Sequence, residues 1–193
     1  MLTLYIIGGC NGAGKTTASY TIFPEILHCM EYVNADEIAK GLSPFQPENV
    51  AIEAGRLMLR RIDDLIGKRE SFAFETTMAS RCFVSTIKTA HAKGYNVKVI
   101  FFWLHSVELA KERVLQRVLK GGHNVDQRVI ERRYHAGISN FFNLYLPLCD
   151  EWLMADNSSV RSDIIADGLA GNIVRIHHSQ LWERLATSYR TLI

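Results

Sequence analysis

Apolar residues follow two rhythms along the chain. Short dense runs occur at Leu2–Ile7, around Tyr32 and Val33, at Ser71–Glu75 and at Val97–Leu104, and runs of this length predict strands. The most apolar of them, Val97–Leu104, predicts a central strand buried on both faces. Between the runs lie longer stretches with helical spacing. From Pro47, the positions Val50, Ala54, Leu57, Met58, Ile62, Leu65 and Ile66 recur every three or four residues, with arginine and aspartate between them. That pattern predicts a long amphipathic helix with proline at its start, where the missing N–H costs nothing. Further helices are predicted from Lys15 to near Pro24, over Ser80–Ala92 and Val107–Leu119, over Val129–Leu144 before Pro147, and over Leu181–Thr191. Gly41-Leu42-Ser43-Pro44 and Gly121-Gly122 read as breaks, and Glu151–Ala155 and Asn172–Ile176 as late strands. Strands alternating with helices predict an α/β fold, a parallel sheet with helices on both faces. No internal repeat, low-complexity stretch or linker interrupts it.

The length of 193 residues fits one domain, for which about 100 to 200 residues is usual. With 48% hydrophobic and 22% charged residues, the chain can bury a core and is not expected to be disordered. Lys plus Arg number 22 and Asp plus Glu 20, a net charge of +2 that gives no argument for nucleic acid or an anionic membrane as partner. The four cysteines, Cys10, Cys29, Cys82 and Cys149, form no Cys-x-x-Cys pair, so neither a zinc site nor a disulfide framework is indicated. Leu2–Ile7 follows Met1 without a basic region or small-residue cleavage site, and no apolar run approaches the ~18 residues of a membrane span. The expectation is a soluble protein of the reducing cytoplasm.

The candidate chemistry starts after the first strand. Gly9-Cys10-Asn11-Gly12-Ala13-Gly14-Lys15-Thr16 is a full-length P-loop at a strand-to-helix turn. Its glycines let successive N–H groups turn inward around phosphate oxygens, and the following helix adds its positive end. Lys15 is expected at the β- and γ-phosphates of ATP, the Thr16 hydroxyl on Mg²⁺, and Thr17 beside them. The strand ending at Leu104 is followed by His105 and Ser106 rather than a carboxylate, which argues against a hydrolase of the usual Walker B type.

Two carboxylates do follow strands, on the side where open α/β sheets bind ligands. Asp36 is either a helix cap before Glu37-Ile38-Ala39 or the base that takes a proton from an attacking hydroxyl. Glu75-Thr76-Thr77 offers an acceptor and two hydroxyls, suited to gripping a polar substrate such as a sugar or to capping the next helix. Arg113 and Arg117 share a helix face, and Arg128, Arg132 and Arg133 stand beyond the Gly-Gly break. Flanking a glycine hinge, with His123 at the tip, they read as a lid that closes guanidinium groups on phosphate. Phe141, Phe142, Tyr145 and Trp152 read as packing, and His177-His178 as structural.

Taken together, the P-loop Gly9–Thr17, Asn34-Ala35-Asp36-Glu37-Ile38-Ala39, Ala54-Gly55-Arg56-Leu57-Met58, Phe74-Glu75-Thr76-Thr77, Arg113–Arg117 and Gly121-Gly122-His123 resemble the zeta-toxin family of P-loop kinases. The likeness spans most of the chain and points to stand-alone members without a fused antitoxin. It implies a nucleotide-kinase-like P-loop NTPase sandwich, one kinase domain over residues 1–193 with an arginine-rich lid at about residues 113–133. It also implies phosphorylation of the amino-sugar 3′-hydroxyl of UDP-N-acetylglucosamine, with ATP and Mg²⁺ as cofactors and a separate antitoxin as a protein partner. By resemblance Lys15 and Thr16 bind ATP and Mg²⁺, Asp36 is the base, Glu75 and Thr77 hold the amino sugar, and Arg117 stabilises the transferred phosphate; Arg56 and Arg81 are further substrate-binding candidates. The family's second lid arginine, before a Thr-Pro pair, is replaced here by the stretch His123-Asn124-Val125-Asp126, and Ala79 stands where better-known toxins carry an arginine. Two other readings share these residues: a kinase for a nucleoside, dinucleotide or antibiotic hydroxyl, and an ATP-binding switch without small-molecule transfer.

Overall fold

A computed structural model of the chain describes residues 1–122 and 124–191. The first strand, β1 (Thr3–Gly8), leads through the phosphate loop into α1 (Lys15–Thr21), which continues as a π-helical turn over Ile22–Ile26. There follow β2 (Tyr32–Val33), α2 (Ala35–Leu42), α3 (Ala51–Lys68), β3 (Phe72–Thr76), α4 (Phe83–Ala92), β4 (Asn96–Trp103), α5 (Val107–Leu119) and α6 (Gln127–Asn140). After a second π-helical turn at Phe141–Tyr145 come β5 (Glu151–Asp156), β6 (Asp163–Leu169), β7 (Asn172–Ile176) and α7 (Ser179–Tyr189). The strands form one sheet in the order β2-β3-β1-β4-β5-β6-β7.

Strands β1 to β5 are parallel, and consecutive residues Phe72, Ala73 and Phe74 of β3 are all fully buried. Successive side chains of a strand point to opposite faces, so helices cover the sheet on both sides. The long helix α3 packs by its periodic face: Ala54, Met58, Ile62, Leu65 and Ile66 are buried. Burying each of the larger side chains contributes about 1.5–3 kcal/mol, which outweighs any weakness in local propensity.

The sheet departs from the expected all-parallel form at one end. β6 and β7 add an antiparallel hairpin beside β5, turned at Ala170 and Gly171, both with positive φ (47° and 75°). No run over Asp163–Leu169 was expected, because Asp163, Asp167 and Gly168 interrupt its apolar signal. Helix starts also differ. α4 begins at Phe83 rather than Ser80, since Ser80 forms a turn in which its Oγ accepts from the Cys82 N–H over 3.1 Å. α6 begins at Gln127 rather than Val129, because Asp126 caps it by accepting from the Arg128 and Val129 N–H groups.

Candidate active site

The phosphate loop sits at the carboxyl end of β1, between the ends of β3 and β4. Gly9 has φ 140° and a Cβ there would lie 2.4 Å from the Phe102 carbonyl oxygen, so only glycine fits. Gly14 has φ 81° and a Cβ would meet Asn157 Nδ2 at 2.5 Å. That amide donates to the Ala13 carbonyl oxygen over 2.7 Å, so the loop after β5 braces the phosphate loop. Arg113 in turn holds this bracing loop, donating to the carbonyl oxygens of Asn157 and Ser158, each over 2.8 Å. Expected as a phosphate clamp, Arg113 has two of its donors committed to backbone.

Lys15 is buried, donates to the Cys10 carbonyl oxygen over 2.9 Å, and stands 3.6 Å from Glu75 Oε1. Cys10 serves through that carbonyl: burial, against the charge of Lys15, pushes its thiol up to about 11 and leaves it protonated. Gly9, Cys10 and Ala13 are buried and shape the loop.

Two cavities meet here. The larger, about 710 Å³, is lined by Gly12, Gly14, Thr16, Thr17, Arg113 and Arg117 among others. The smaller, about 390 Å³, runs past Arg56, Thr77 and Arg133 to the apolar side chains of Ile52, Met58 and Phe83. Asn11, Lys15, Asp36 and Glu75 line both.

Asp36 lies in the first turn of α2 but does not cap it. Asn34 is the cap, its Oδ1 accepting from the Asp36 N–H over 2.8 Å, which leaves the Asp36 carboxylate for other work. Glu75 does not cap α4, whose start lies beyond a separate turn. Its Oε2 accepts from Thr16 Oγ1 at 2.8 Å, Tyr32 OH at 2.5 Å and Asn34 Nδ2 at 3.1 Å. Burial first, then the Glu75 charge, raises the Tyr32 pKa above its ordinary value, so the hydroxyl stays a donor.

The arginines separate. Arg133 Nη1 reaches Asn11 Oδ1, and burial draws its pKa below the ordinary value while the charge of Asp36 opposes that shift. Arg81, Arg128 and Arg132 are exposed and line neither cavity. The Gly121-Gly122 break ends α5, the Gly122 N–H donating to the Arg117 carbonyl oxygen over 2.9 Å, with Gly121 at φ 82°. His123, expected at the lid tip, lies outside the described residues. His177, just past β7, pairs with Asp167 of β6 over 2.8 Å, a contact at the surface.

The sequence pattern gave no chemical role to Tyr32, Asn34 or Asn157, although Asn34 stands in the segment that carries the family resemblance. Asn157 carried one usable sign, a polar cluster directly after a late strand. Lys40 and Lys120 also line the larger cavity.

The sequence model of the zeta toxin family matches residues 3–144, which is most of the chain and includes the loop, Asp36, Glu75 and the arginine helices. The chain belongs to the zeta toxin family. A relative in Haemophilus influenzae (strain ATCC 51907 / DSM 11121 / KW20 / Rd), described only as an uncharacterized protein, is 27% identical over 126 residues, covering 65% of this chain and 88% of its own. Among solved structures, the AvrRxo1-ORF1:AvrRxo1-ORF2 assembly with sulphate ions matches with TM-score 0.77 at 19% identity, and its ATP-containing form with 0.75 at 19%. Both matches cover 99% of this chain but 65% of AvrRxo1, so the chain spans less than two thirds of that protein. The PezAT chromosomal toxin-antitoxin system of Streptococcus pneumoniae matches with TM-score 0.66 at 16% identity, over 94% of this chain and 76% of the other. At these identities the structural matches establish a shared fold alone, the mostly parallel α/β sheet with the phosphate loop at the end of β1. Among the described residues no helix is long and apolar enough to cross a membrane.

Proposed function

We propose that this zeta toxin family member is an ATP-dependent small-molecule kinase, one domain with a lid at about residues 113–133, that phosphorylates a hydroxyl of a nucleotide sugar. UDP-N-acetylglucosamine is the acceptor to which the family resemblance leads. The observation that carries the reading is that Lys15 and Asp36 line both cavities, so a cation for phosphate and a carboxylate for a proton stand at their boundary. ATP occupies the larger cavity, its phosphates in the loop over Lys15, and the acceptor occupies the smaller one against Thr77, Arg56 and the apolar wall.

Asp36 accepts the proton of the acceptor hydroxyl as its oxygen bonds to the γ-phosphorus, and the bond from that phosphorus to the bridging oxygen breaks to release ADP. Arg117, lining the ATP side, offsets charge on the transferred group, with Arg133 on the acceptor side. The Thr16 hydroxyl and the neighbouring carboxylate are hard oxygen donors of the kind Mg²⁺ takes, and the ion needs only one or two protein groups beside phosphate and water. When bound, Mg²⁺ neutralises phosphate charge. Among the described residues no cluster of three His, Cys, Asp or Glu offers an all-protein metal cage. Such a kinase works in the cytoplasm, and a separate antitoxin is its expected protein partner, in keeping with the toxin-antitoxin system named for PezAT.

The test is transfer of label from γ-labelled ATP to a panel of acceptors headed by UDP-N-acetylglucosamine, with Lys15→Ala as control. Labelled nucleotide sugar that disappears with Lys15→Ala supports the reading. Tight ATP binding with no acceptor labelled contradicts it and favours a nucleotide-binding switch.

A further inference from the structure

The loop between β3 and α4, residues 77–82, carries Thr77 and Cys82 of the smaller cavity, and Phe83 follows at the start of α4. Its backbone is strained at Met78, where φ is 55°, a left-handed conformation that a bulky side chain rarely adopts. Such a residue persists only where its surroundings hold it. The Met78 side chain is fully buried against Gly8 of β1, where a Cβ would lie 2.5 Å from its sulfur. Its N–H donates to the Thr76 hydroxyl over 3.1 Å, and its carbonyl oxygen accepts from Asn140 Nδ2 over 2.8 Å, 62 residues away along the chain. Two more contacts reach the loop from the same side. A Cβ on Gly137 would lie 2.5 Å from the Thr77 carbonyl oxygen, so α6 approaches the loop backbone as closely as only glycine allows. The Tyr145 hydroxyl, in the π-helical turn that follows α6, donates to the Ser80 carbonyl oxygen.

Arg133, Gly137 and Asn140 follow one another on α6 at helical spacing and so share one face. That face touches the phosphate loop at Asn11 through Arg133 and, about 10 Å further along the helix axis, the 77–82 loop through Gly137 and Asn140. We infer, on the kinase reading above, that Gly137 and Asn140 are positioning residues for the acceptor. Through them α6 holds the Thr77 hydroxyl and the cavity wall at Cys82 and Phe83 at a fixed distance from the Arg133 guanidinium. One rigid helix then sets both the wall that receives the acceptor and a cation for the phosphoryl group, and the separation of the two does not depend on the loop's own stiffness. The residue types fit this role better than a plain helical one. Glycine inside a helix and asparagine near its end are poorer helix formers than alanine, and each here has a loop contact that accounts for it. The Asn140 amide is directed at the loop and makes no capping bond to the turn that follows.

Binding, rather than turnover, provides the test. UDP-N-acetylglucosamine is titrated calorimetrically into the full chain held with a non-hydrolysable ATP analogue, and amide hydrogen exchange over residues 77–82 is followed by mass spectrometry without acceptor. Asn140→Leu keeps the size of the side chain and removes the donor to Met78. Exchange in the loop should quicken and the acceptor Kd rise by about 10-fold, the scale of one lost hydrogen bond, while the Kd of the ATP analogue stays within about twofold. Gly137→Ala is the second variant, and it decides the matter alone if Asn140→Leu does not fold. Its methyl must displace the Thr77 carbonyl, so the acceptor Kd should rise again, whatever alanine does to the melting temperature. An acceptor Kd within about twofold of wild type in the folded variants, or an equal loss of affinity for the ATP analogue, overturns the inference and leaves these contacts purely structural. Transfer from ATP is assayed on the same preparations. Wild type that binds UDP-N-acetylglucosamine without phosphorylating it removes the kinase reading, and the ratio of acceptor Kd values still decides the inference. Wild type that binds the ATP analogue but no UDP-N-acetylglucosamine overturns it, since the smaller cavity then receives no nucleotide sugar to position.

Discussion

Arg133 Nη1 donates to Asn11 Oδ1 over 3.2 Å, which ties α6 directly to the phosphate loop. Arg133 also lines the smaller cavity with Asp36, and on the proposed reading it faces the transferred phosphoryl group from the acceptor side. Arg133→Ala should lower kcat by on the order of 10²-fold, the usual scale for losing one preorganised donor to a transition state. ATP affinity measured without acceptor should stay within about threefold. Equal kcat in variant and wild type would remove Arg133 from the chemistry.

Arg113 and Arg117 lie one helical turn apart but have different surroundings. Arg113 holds the carbonyl oxygens of Asn157 and Ser158, while Arg117 lines the larger cavity. Arg113→Ala should therefore lower the melting temperature, since each charged hydrogen bond is worth about 1.5–3 kcal/mol, and loosen the brace on Ala13. Arg117→Ala should lower kcat more than it raises the KM for ATP. Thermal melts and steady-state kinetics on both variants check the division, and the reverse pattern would exchange the roles.

Cysteine labelling gives a view of the acceptor cavity that needs no turnover. Cys82 is exposed and lines the smaller cavity, whereas Cys10, Cys29 and Cys149 are buried, with thiols pushed upward by that burial, Cys10 to about 11 and Cys149 to about 12. At pH 8 a thiol reagent should modify Cys82 first in the native protein. UDP-N-acetylglucosamine should slow that reaction more than ATP does. Faster labelling of Cys10, or protection by ATP alone, would contradict the assignment of the cavities.

Much of this site was legible in the chain because its signals are local. The phosphate loop is contiguous, Asp36 follows β2 and Glu75 lies at the end of β3, so the fold rule that ligands gather at strand ends brought them together. What Glu75 touches could not be read, since Thr16 and Tyr32 are 59 and 43 residues away along the chain. Nor could the arginines be sorted: Arg132 and Arg133 are adjacent in sequence, and the turn of α6 sends one to solvent and the other to Asn11. Of the β6–β7 hairpin, β7 was expected as a late strand at Asn172–Ile176, but β6 was not, since Asp163, Asp167 and Gly168 interrupt its apolar run, and so the antiparallel pairing could not be read.

Asp36 is the base in the proposed transfer. Asn34 caps α2, so Asp36→Asn removes a charge from a helix start without removing the cap, a loss of about 0.3–1 kcal/mol and a melting shift below about 4 °C. The decisive measurement is transfer from ATP to UDP-N-acetylglucosamine on Asp36→Asn protein whose melting and ATP affinity have been recorded on the same preparation. With the fold and ATP binding preserved, transfer should fall by roughly 10²- to 10⁴-fold, the range for losing a general base. Transfer close to wild type in that folded, ATP-binding variant would contradict the mechanism.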